Sequence, residues 1–324
     1  MADILKDIKI ELKDEFAKFE ATFYKEVKTK ISLLDTILGY IVKRKGKQIR
    51  PIMVLLTAGS CGSINEKTYR GASLVELLHT ATLVHDDVVD ESYKRRGFFS
   101  INALWKNKVA VLVGDFLLSR GLIMSVENKD FEMLEIVSDS MKRMVEGELL
   151  QLEKARRLDI KEEDYYQIIS NKTASLFASC CAIGAASVTD SKEIMDAMRN
   201  FGESAGMAFQ IKDDLFDFSD EDSGKPKGID IKERKMTLPL IYALNHADKN
   251  TKNRIIKLFK TKKISNEQVQ EVVSFILNSG GADYARNKMN EFKNKALKCL
   301  EILPENRHKT NLITVLNYII ERKK

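Results

Sequence analysis

The chain has 324 residues, of which 44% are hydrophobic and 31% charged, and its formal net charge is +6. Its 16 glycines and 4 prolines are roughly half of average usage, which excludes turn-rich sandwiches and barrels, while the apolar content excludes wholesale disorder. The charges are mixed rather than gathered on one basic face, which argues against nucleic acid as a partner.

Apolar residues at Leu5, Ile8, Leu12, Phe16, Phe19 and Phe23 step by three or four, and predict one opening helix. Ile31, Leu34, Leu38 and Ile41 predict a second. Pro51 suits the first turn of a third, which residues 59–65 interrupt. A long helix then runs from about Glu66 to Asp90, and residues 91–100 read as a loop. Later starts carry capping signatures: Asp159 with Glu162, Asp190 with Glu193, and Ser265 with Gln268. Residues 220–236 form a second expected loop. The basic stretch 252–263, where Lys and Arg alternate with Ile256, Leu258 and Phe259, reads as the solvated side of an amphipathic helix. Gly280 and Gly281 separate two further helices. No useful period-2 segment, repeat or composition shift is present. The expectation is an all-α protein, a single large helical bundle with residues 1–324 in one domain.

Cys61, Cys180, Cys181 and Cys299 show no CxxC spacing and suit a reducing compartment. The first sixteen residues carry charges every few positions, unlike a signal peptide. No apolar run reaches the roughly 18 residues of a membrane span. A cytoplasmic protein without a transmembrane segment is expected.

Two acidic clusters stand out. In HTATLVHDDVVDESYKRRG, Asp86 and Asp90 share one helical face, with Asp87 adjacent and His79 nearly aligned. In FQIKDDLFDFSDEDSGKPKG, Asp213 and Asp217 repeat the spacing, with Asp214 adjacent and Gln210 on the same side. One such cluster alone is more often a solvated acidic face. Two, each on a helix rich in apolar surface and each just before a Lys/Arg-bearing loop, point elsewhere. Unpaired carboxylates there are costly, and a hard divalent cation removes that cost. Mg²⁺ takes oxygen ligands and is shared between carboxylates and substrate phosphates, while Lys and Arg supply the remaining phosphate contacts. The pattern describes a diphosphate clamp.

GKQIRP, LHTATLVHDDVVD, KRRG, NKTA, FQIKDDLFD and GKPKGIDIKERKMTLP, in this order, resemble the trans-type polyprenyl diphosphate synthase family. The likeness runs from about Gly46 to Pro239. It implies the isoprenoid-synthase type of fold, with a central apolar cavity and the two clusters across its mouth. It further implies three Mg²⁺ ions: two on Asp86 and Asp90 supported by Asp87, and a third on Asp213 supported by Asp214 and Asp217. Lys47, Arg50, His79 and Arg96 match positions that hold isopentenyl diphosphate. Arg95, Lys172, Lys225 and Lys235 match those that grip the allylic diphosphate. Thr173 and Gln210 match polar groups that stabilise the allylic cation, and with Lys172 they make up the expected catalytic group. His85 matches no role. Arg234 stands where the family commonly has glycine.

The resemblance also places the growing tail along the helix before Asp86, past Thr82, Ala81 and Leu78. Short-chain members tend to carry aromatic residues at the first two positions, so the small Ala81 and Thr82 predict a longer product, around C30 to C45. Phe116, Leu118 and Met141 are candidates for a floor. A homodimer is expected from the family, with transient membrane contact for product release.

Other readings fit less of the chain. A class I terpene cyclase shares the first motif but not GKQIRP or a symmetric second cluster. His85-Asp86 as the start of an HD-type phosphohydrolase leaves residues 213–217 unexplained, and the single Glu76…His79 pair is half of a di-iron motif. A shorter-chain synthase is the nearest alternative within the family. A non-catalytic subunit of a two-chain synthase is expected to have lost motif residues, and this chain keeps them.

Overall fold

The computed structural model describes residues 3–44, 46–95, 97–157, 159–218, 228–261 and 264–321. In chain order these form α1 (Asp3–Glu11), α2 (Lys13–Val27), α3 (Ser32–Lys43), α4 (Ile49–Cys61), α5 (Glu66–Val89), β1 (Lys94–Arg95), β2 (Phe98–Phe99), α6 (Ile101–Glu127), α7 (Phe131–Arg157) and α8 (Glu162–Ile169). A π-turn (Ser170–Ala174) leads into α9 (Ser175–Ala186), and a 3₁₀ turn (Phe216–Phe218) closes α10 (Lys192–Leu215). Then follow α11 (Ile229–Lys232), α12 (Leu238–Asn245), α13 (Lys249–Lys260), α14 (Asn266–Asn278), α15 (Gly281–Cys299) and α16 (Arg307–Glu321).

Local chemistry explains most boundaries. Asn65 caps α5 by accepting from the N–H groups of Lys67 and Thr68, while the Thr68 hydroxyl accepts from Asn65 N–H. Ser265 and Gln268 form the expected reciprocal box on α14. Gly280 takes the left-handed conformation, φ 75°, between α14 and α15.

Several expectations need correction. The opening helix bends at Leu12, where φ −92° and ψ 17° separate α1 from α2. Asp159 and Glu162 form no box: Lys161 precedes α8, and its N–H donates to Asp164 Oδ2 at 2.9 Å. Ser191, not Asp190, caps α10 by accepting from Ile194 N–H. Helix α4 continues through Gly59 to Cys61, and the His308 ring packs over Gly59, where a Cβ would come within 2.6 Å of it. The loop after α5 contains a small antiparallel hairpin pairing Lys94 with Phe99 and Arg95 with Phe98. Residues 219–227 of the second expected loop lie outside the described residues, and α11 occupies part of the remainder.

Helix α6 is long and apolar enough to cross a membrane by length and composition, although it holds no uninterrupted apolar run of that length. Asp115 and Arg120 interrupt its apolar run. Both are engaged within the fold: Asp115 lies 3.5 Å from His85, and Arg120 pairs with Glu26 at 2.6 Å.

The centre of the fold is α9, buried at every residue and packed by α4, α5, α7 and α10. Residue pairs fix the directions. Thr68 at the start of α5 meets Ser187 just past the end of α9, so α5 runs antiparallel to α9. Gly202 of α10 abuts Phe177, Gly206 abuts Ala174 and Gln210 bonds Thr173, so α10 is antiparallel too. Helix α4 runs parallel, with Arg50 over Phe177 and Val54 beside Gly184. The C-terminal ends of α5 and α10 therefore meet the N-terminal ends of α4 and α9 at one end of the bundle.

Candidate active site

That shared end collects most of the residues singled out in the sequence. Arg50 Nη1 lies 2.8 Å from His79 Nε2, joining the first turn of α4 to α5. A guanidinium only donates, so the imidazole nitrogen accepts. The Lys47 ammonium sits 5.4 Å from the Tyr318 ring centroid. Lys47, Arg50 and His79 line a cavity of about 350 Å³ with Glu76, Asp87, Phe19, Phe23 and Tyr40.

The first acidic cluster occupies the last turn of α5. Asp86 and Asp90 are exposed, whereas Asp87 is only 5% exposed. The turn is held from α6: Asn102 Nδ2 donates to the Asp87 carbonyl at 3.0 Å, and Ser92 N–H donates to the same oxygen at 2.9 Å. His85, which matched no role, packs over Gly114, with its Nε2 3.2 Å from the Val111 carbonyl.

The second cluster departs from the expected helical spacing. α10 ends at Leu215, so Asp217 sits in the 3₁₀ turn rather than one α-turn beyond Asp213. The tighter turn lets Asp217 Oδ2 accept from Asp230 N–H at 2.7 Å, tying the cluster to the chain beyond residues 219–227. Asp213 is half-buried and Asp214 is buried. Asp214 accepts from Tyr165 Oη at 2.7 Å and from Gln210 Nε2 at 3.0 Å. Burial pushes its carboxyl up to about 7, although both donors pull the other way. Gln210 Oε1 accepts from Thr173 Oγ1 at 2.9 Å. Thr173 thus commits its proton to Gln210, leaving its oxygen lone pairs as acceptors.

Lys172 projects from the π-turn, with Nζ 2.5 Å from Glu148 and 3.3 Å from Gln151. Lys235 lies 2.6 Å from Glu233 and 3.4 Å from Asp230. Arg234 adopts φ 60°, the left-handed conformation that glycine takes readily, and its guanidinium donates to the Thr261 carbonyl. Arg95 lies on β1, while Arg96 and Lys225 lie outside the described residues.

On α5, Leu78 and Ala81 are buried, and Thr82 is half-buried with its hydroxyl donating to His79 O at 2.9 Å. His85 against Gly114 and Leu74 against Gly121 show that this side of α5 faces α6. Phe116, Leu118 and Met141 are partly buried against the core. Sequence reasoning missed Glu148, Tyr165, Asp230, Arg143 and Glu203, whose partners are distant in the chain.

The carboxylates suit Mg²⁺. They are oxygen donors, Asp86 and Asp90 share a solvent-facing side, and no three His, Cys, Asp or Glu side chains among the described residues already converge as a metal cage. Mg²⁺ typically uses one or two carboxylates and completes its shell with water and substrate phosphate.

A family model, polyprenyl synthetase, matches residues 31–276. The chain belongs to that family. The synthase is 38% identical over 323 residues to an all-trans-nonaprenyl-diphosphate synthase (geranyl-diphosphate specific) of Rhodobacter capsulatus, covering 99% of this chain and 98% of the relative. It is 32% identical to heptaprenyl diphosphate synthase component 2 of Bacillus subtilis, covering 96% and 89%. Among solved structures it resembles a decaprenyl diphosphate synthase from Rhodobacter capsulatus, with TM-score 0.91, 30% identity and 99% of each chain covered. The fold is the all-α isoprenoid-synthase fold, the chain is a prenyltransferase, and Mg²⁺ is the metal of its family.

Proposed function

We propose that the synthase extends an allylic diphosphate with isopentenyl diphosphate, head to tail and all-trans, to a polyprenyl diphosphate of around C30 to C45. The observation that carries the length is Ala81: a fully buried alanine on the side of α5 facing α6 places no bulky ring beside a growing tail. The seven- and nine-unit product names of two relatives fall in this range, and the ten-unit name of the solved structure lies one unit beyond it.

In this reading Lys47, Arg50, His79 and Arg96 hold isopentenyl diphosphate, while Arg95, Lys172, Lys225 and Lys235 hold the allylic diphosphate. Asp86, Asp90 and Asp213 would hold three Mg²⁺ ions, with Asp87, Asp214 and Asp217 in support. Bound there, the metal supplies positive charge to the departing diphosphate. Thr173, oriented by Gln210, turns its lone pairs toward the allylic carbon as its C–O bond breaks. The double bond of isopentenyl diphosphate attacks that carbon, and the released diphosphate takes the proton whose loss forms the new double bond.

The enzyme is read as a cytoplasmic homodimer of one-domain chains. The exposed faces of α6 and α7, with Leu104, Val111, Leu112, Leu122, Ile123 and Val126 on one and Val145, Leu149 and Leu152 on the other, support self-association. A second reading, one component of a two-chain enzyme, is favoured by the component-type name of the Bacillus relative.

The test is incubation with Mg²⁺, isopentenyl diphosphate and farnesyl diphosphate, followed by sizing of the products. Activity of this chain alone with long products supports the proposal. A C15 or C20 end point overturns the length, and activity only with a second protein overturns the single-chain reading.

A further inference from the structure

The π-turn that carries Lys172 and Thr173 is held by a device outside the substrate pocket. A π-turn widens the helix by one residue and turns its side chains away from the α-helical directions. Here Ser175 N–H bonds Ser170 O, five residues back. That leaves the Asn171 carbonyl without its α-helical donor, and Ser175 Oγ fills the gap at 2.6 Å. The wide turn fits because two glycines flank it. A Cβ on Gly147 of α7 would lie 2.9 Å from Lys172 N, and one on Gly206 of α10 would lie 2.6 Å from Ala174 Cα.

Three helical segments are then joined through one guanidinium. Arg143 of α7 donates from Nη2 to Ser170 Oγ at 2.8 Å and to Glu203 Oε1 at 2.6 Å, and from Nε to Asn171 Oδ1 at 3.1 Å. Ser170 Oγ in turn donates to the same Glu203 oxygen at 2.7 Å. Glu203 lies on α10 two turns before Gln210, the partner of Thr173. These hydrogen bonds and the Arg143 charge hold the Glu203 carboxyl below its ordinary range against the opposing effect of burial.

We propose that Arg143, with Glu203, is a positioning residue that locks the π-turn and so aims Lys172 at the allylic diphosphate and Thr173 at the reacting carbon. The inference rests on the roles assigned above to Lys172 and Thr173. The bonds of the lock reach none of Lys47, Arg50 and His79, so it is expected to act on the allylic substrate rather than on isopentenyl diphosphate. A planar fork reaches three acceptors at once, which an ammonium cannot do with the same geometry.

The test is steady-state kinetics of the full-length protein with both substrates, alongside thermal melts. Arg143→Met is expected to raise KM for farnesyl diphosphate about fivefold or more and lower kcat about tenfold, with KM for isopentenyl diphosphate within about twofold. Arg143→Lys restores only part of this, although it restores the charge. Glu203→Gln, which keeps side-chain shape, shifts the same parameters in the same direction and serves alone if Arg143→Met fails to fold. Folded variants with unchanged kcat and farnesyl KM, or with both KM values raised in parallel, overturn the inference. Full recovery by Arg143→Lys also overturns it. Lys172→Ala separates the two levels. If it leaves the farnesyl KM unchanged, the assignment of Lys172 fails; if it raises that KM while the Arg143 variants do not, only the lock fails.

Discussion

Arg50 and His79 are joined by a 2.8 Å contact between Nη1 and Nε2 across α4 and α5. His79 therefore fixes the direction of a guanidinium that lines the cavity. His79→Ala is expected to lower kcat/KM for isopentenyl diphosphate about tenfold or more, the scale of a hydrogen bond to a charged group. His79→Gln, whose amide oxygen can accept from Arg50, should recover most of it. Kinetics with isopentenyl diphosphate varied at saturating farnesyl diphosphate decides the matter; equal losses in the two variants would remove the orienting role.

Ala81 has no exposed surface and lies on the side of α5 that faces α6. Ala81→Phe should shorten the product by several five-carbon units, with the rate of the first condensation changed by no more than about threefold, because the tail and not the reacting end meets the ring. Chromatographic sizing of products reads this directly. Unchanged length would place the tail along another surface.

Asp213 and Asp214 are neighbours with different surroundings. The buried Asp214 is spanned by Tyr165 and Gln210, while Asp213 is half-buried on the last turn of α10. Asp213→Asn is expected to cost about a hundredfold or more in kcat, and Asp214→Asn about tenfold, since the latter loses a donor-aligned acceptor rather than the metal-facing charge. Mg²⁺ titrations of both variants test this. A larger loss in Asp214→Asn reverses the assignment.

Lys106 marks a kink between two helical stretches of α6, with φ 69° and ψ 161°, a region used almost only by glycine. Lys106→Gly should stabilise the protein by about 1 kcal/mol, or about 2 °C in Tm for a chain of this size. A lower Tm would show that the lysine's own contacts outweigh the strain.

His308 packs its half-buried ring over Gly59, and burial, then the neighbouring Arg307, hold its pKa below the ordinary value. The unfolded chain therefore binds the proton more readily. Stability is unaffected above the unfolded pKa and declines as pH falls below about 6.5 toward the folded value. Between about pH 7.5 and pH 5.5, wild type should lose about 1 °C more in Tm than His308→Gln. Parallel melting curves would show that His308 does not contribute.

The long elements were legible because apolar spacing and caps are local. Asn65 to Asp90 is bounded by a short-range cap and a loop, and residues 66–89 form α5. The acidic clusters and their basic neighbours were legible as chemistry. What the chain order could not convey was assembly. Arg143, Ser170 and Glu203 meet across separations of 27 and 60 residues, and nothing local marks them. The π-turn was equally hidden, since NKTA is compatible with an ordinary helix and the wide turn depends on Gly147 and Gly206 of other helices. The caps at Lys161 and Ser191 were misplaced because several polar residues compete at each start. Tertiary contacts decide among them: Asp164 is drawn to Lys154 at 2.9 Å.

The antiparallel run of α5 beside α9 carries a consequence for how length is counted. One turn of α-helix advances about 5.4 Å, close to the span of one extended five-carbon unit. With the acidic cluster fixed at one end of α5, a tail lying along it passes about one turn for each unit added. On the proposed tail path the helix would work as a ruler with its zero at Asp86, and a single side chain along its α6-facing side would reset the length without touching the chemistry.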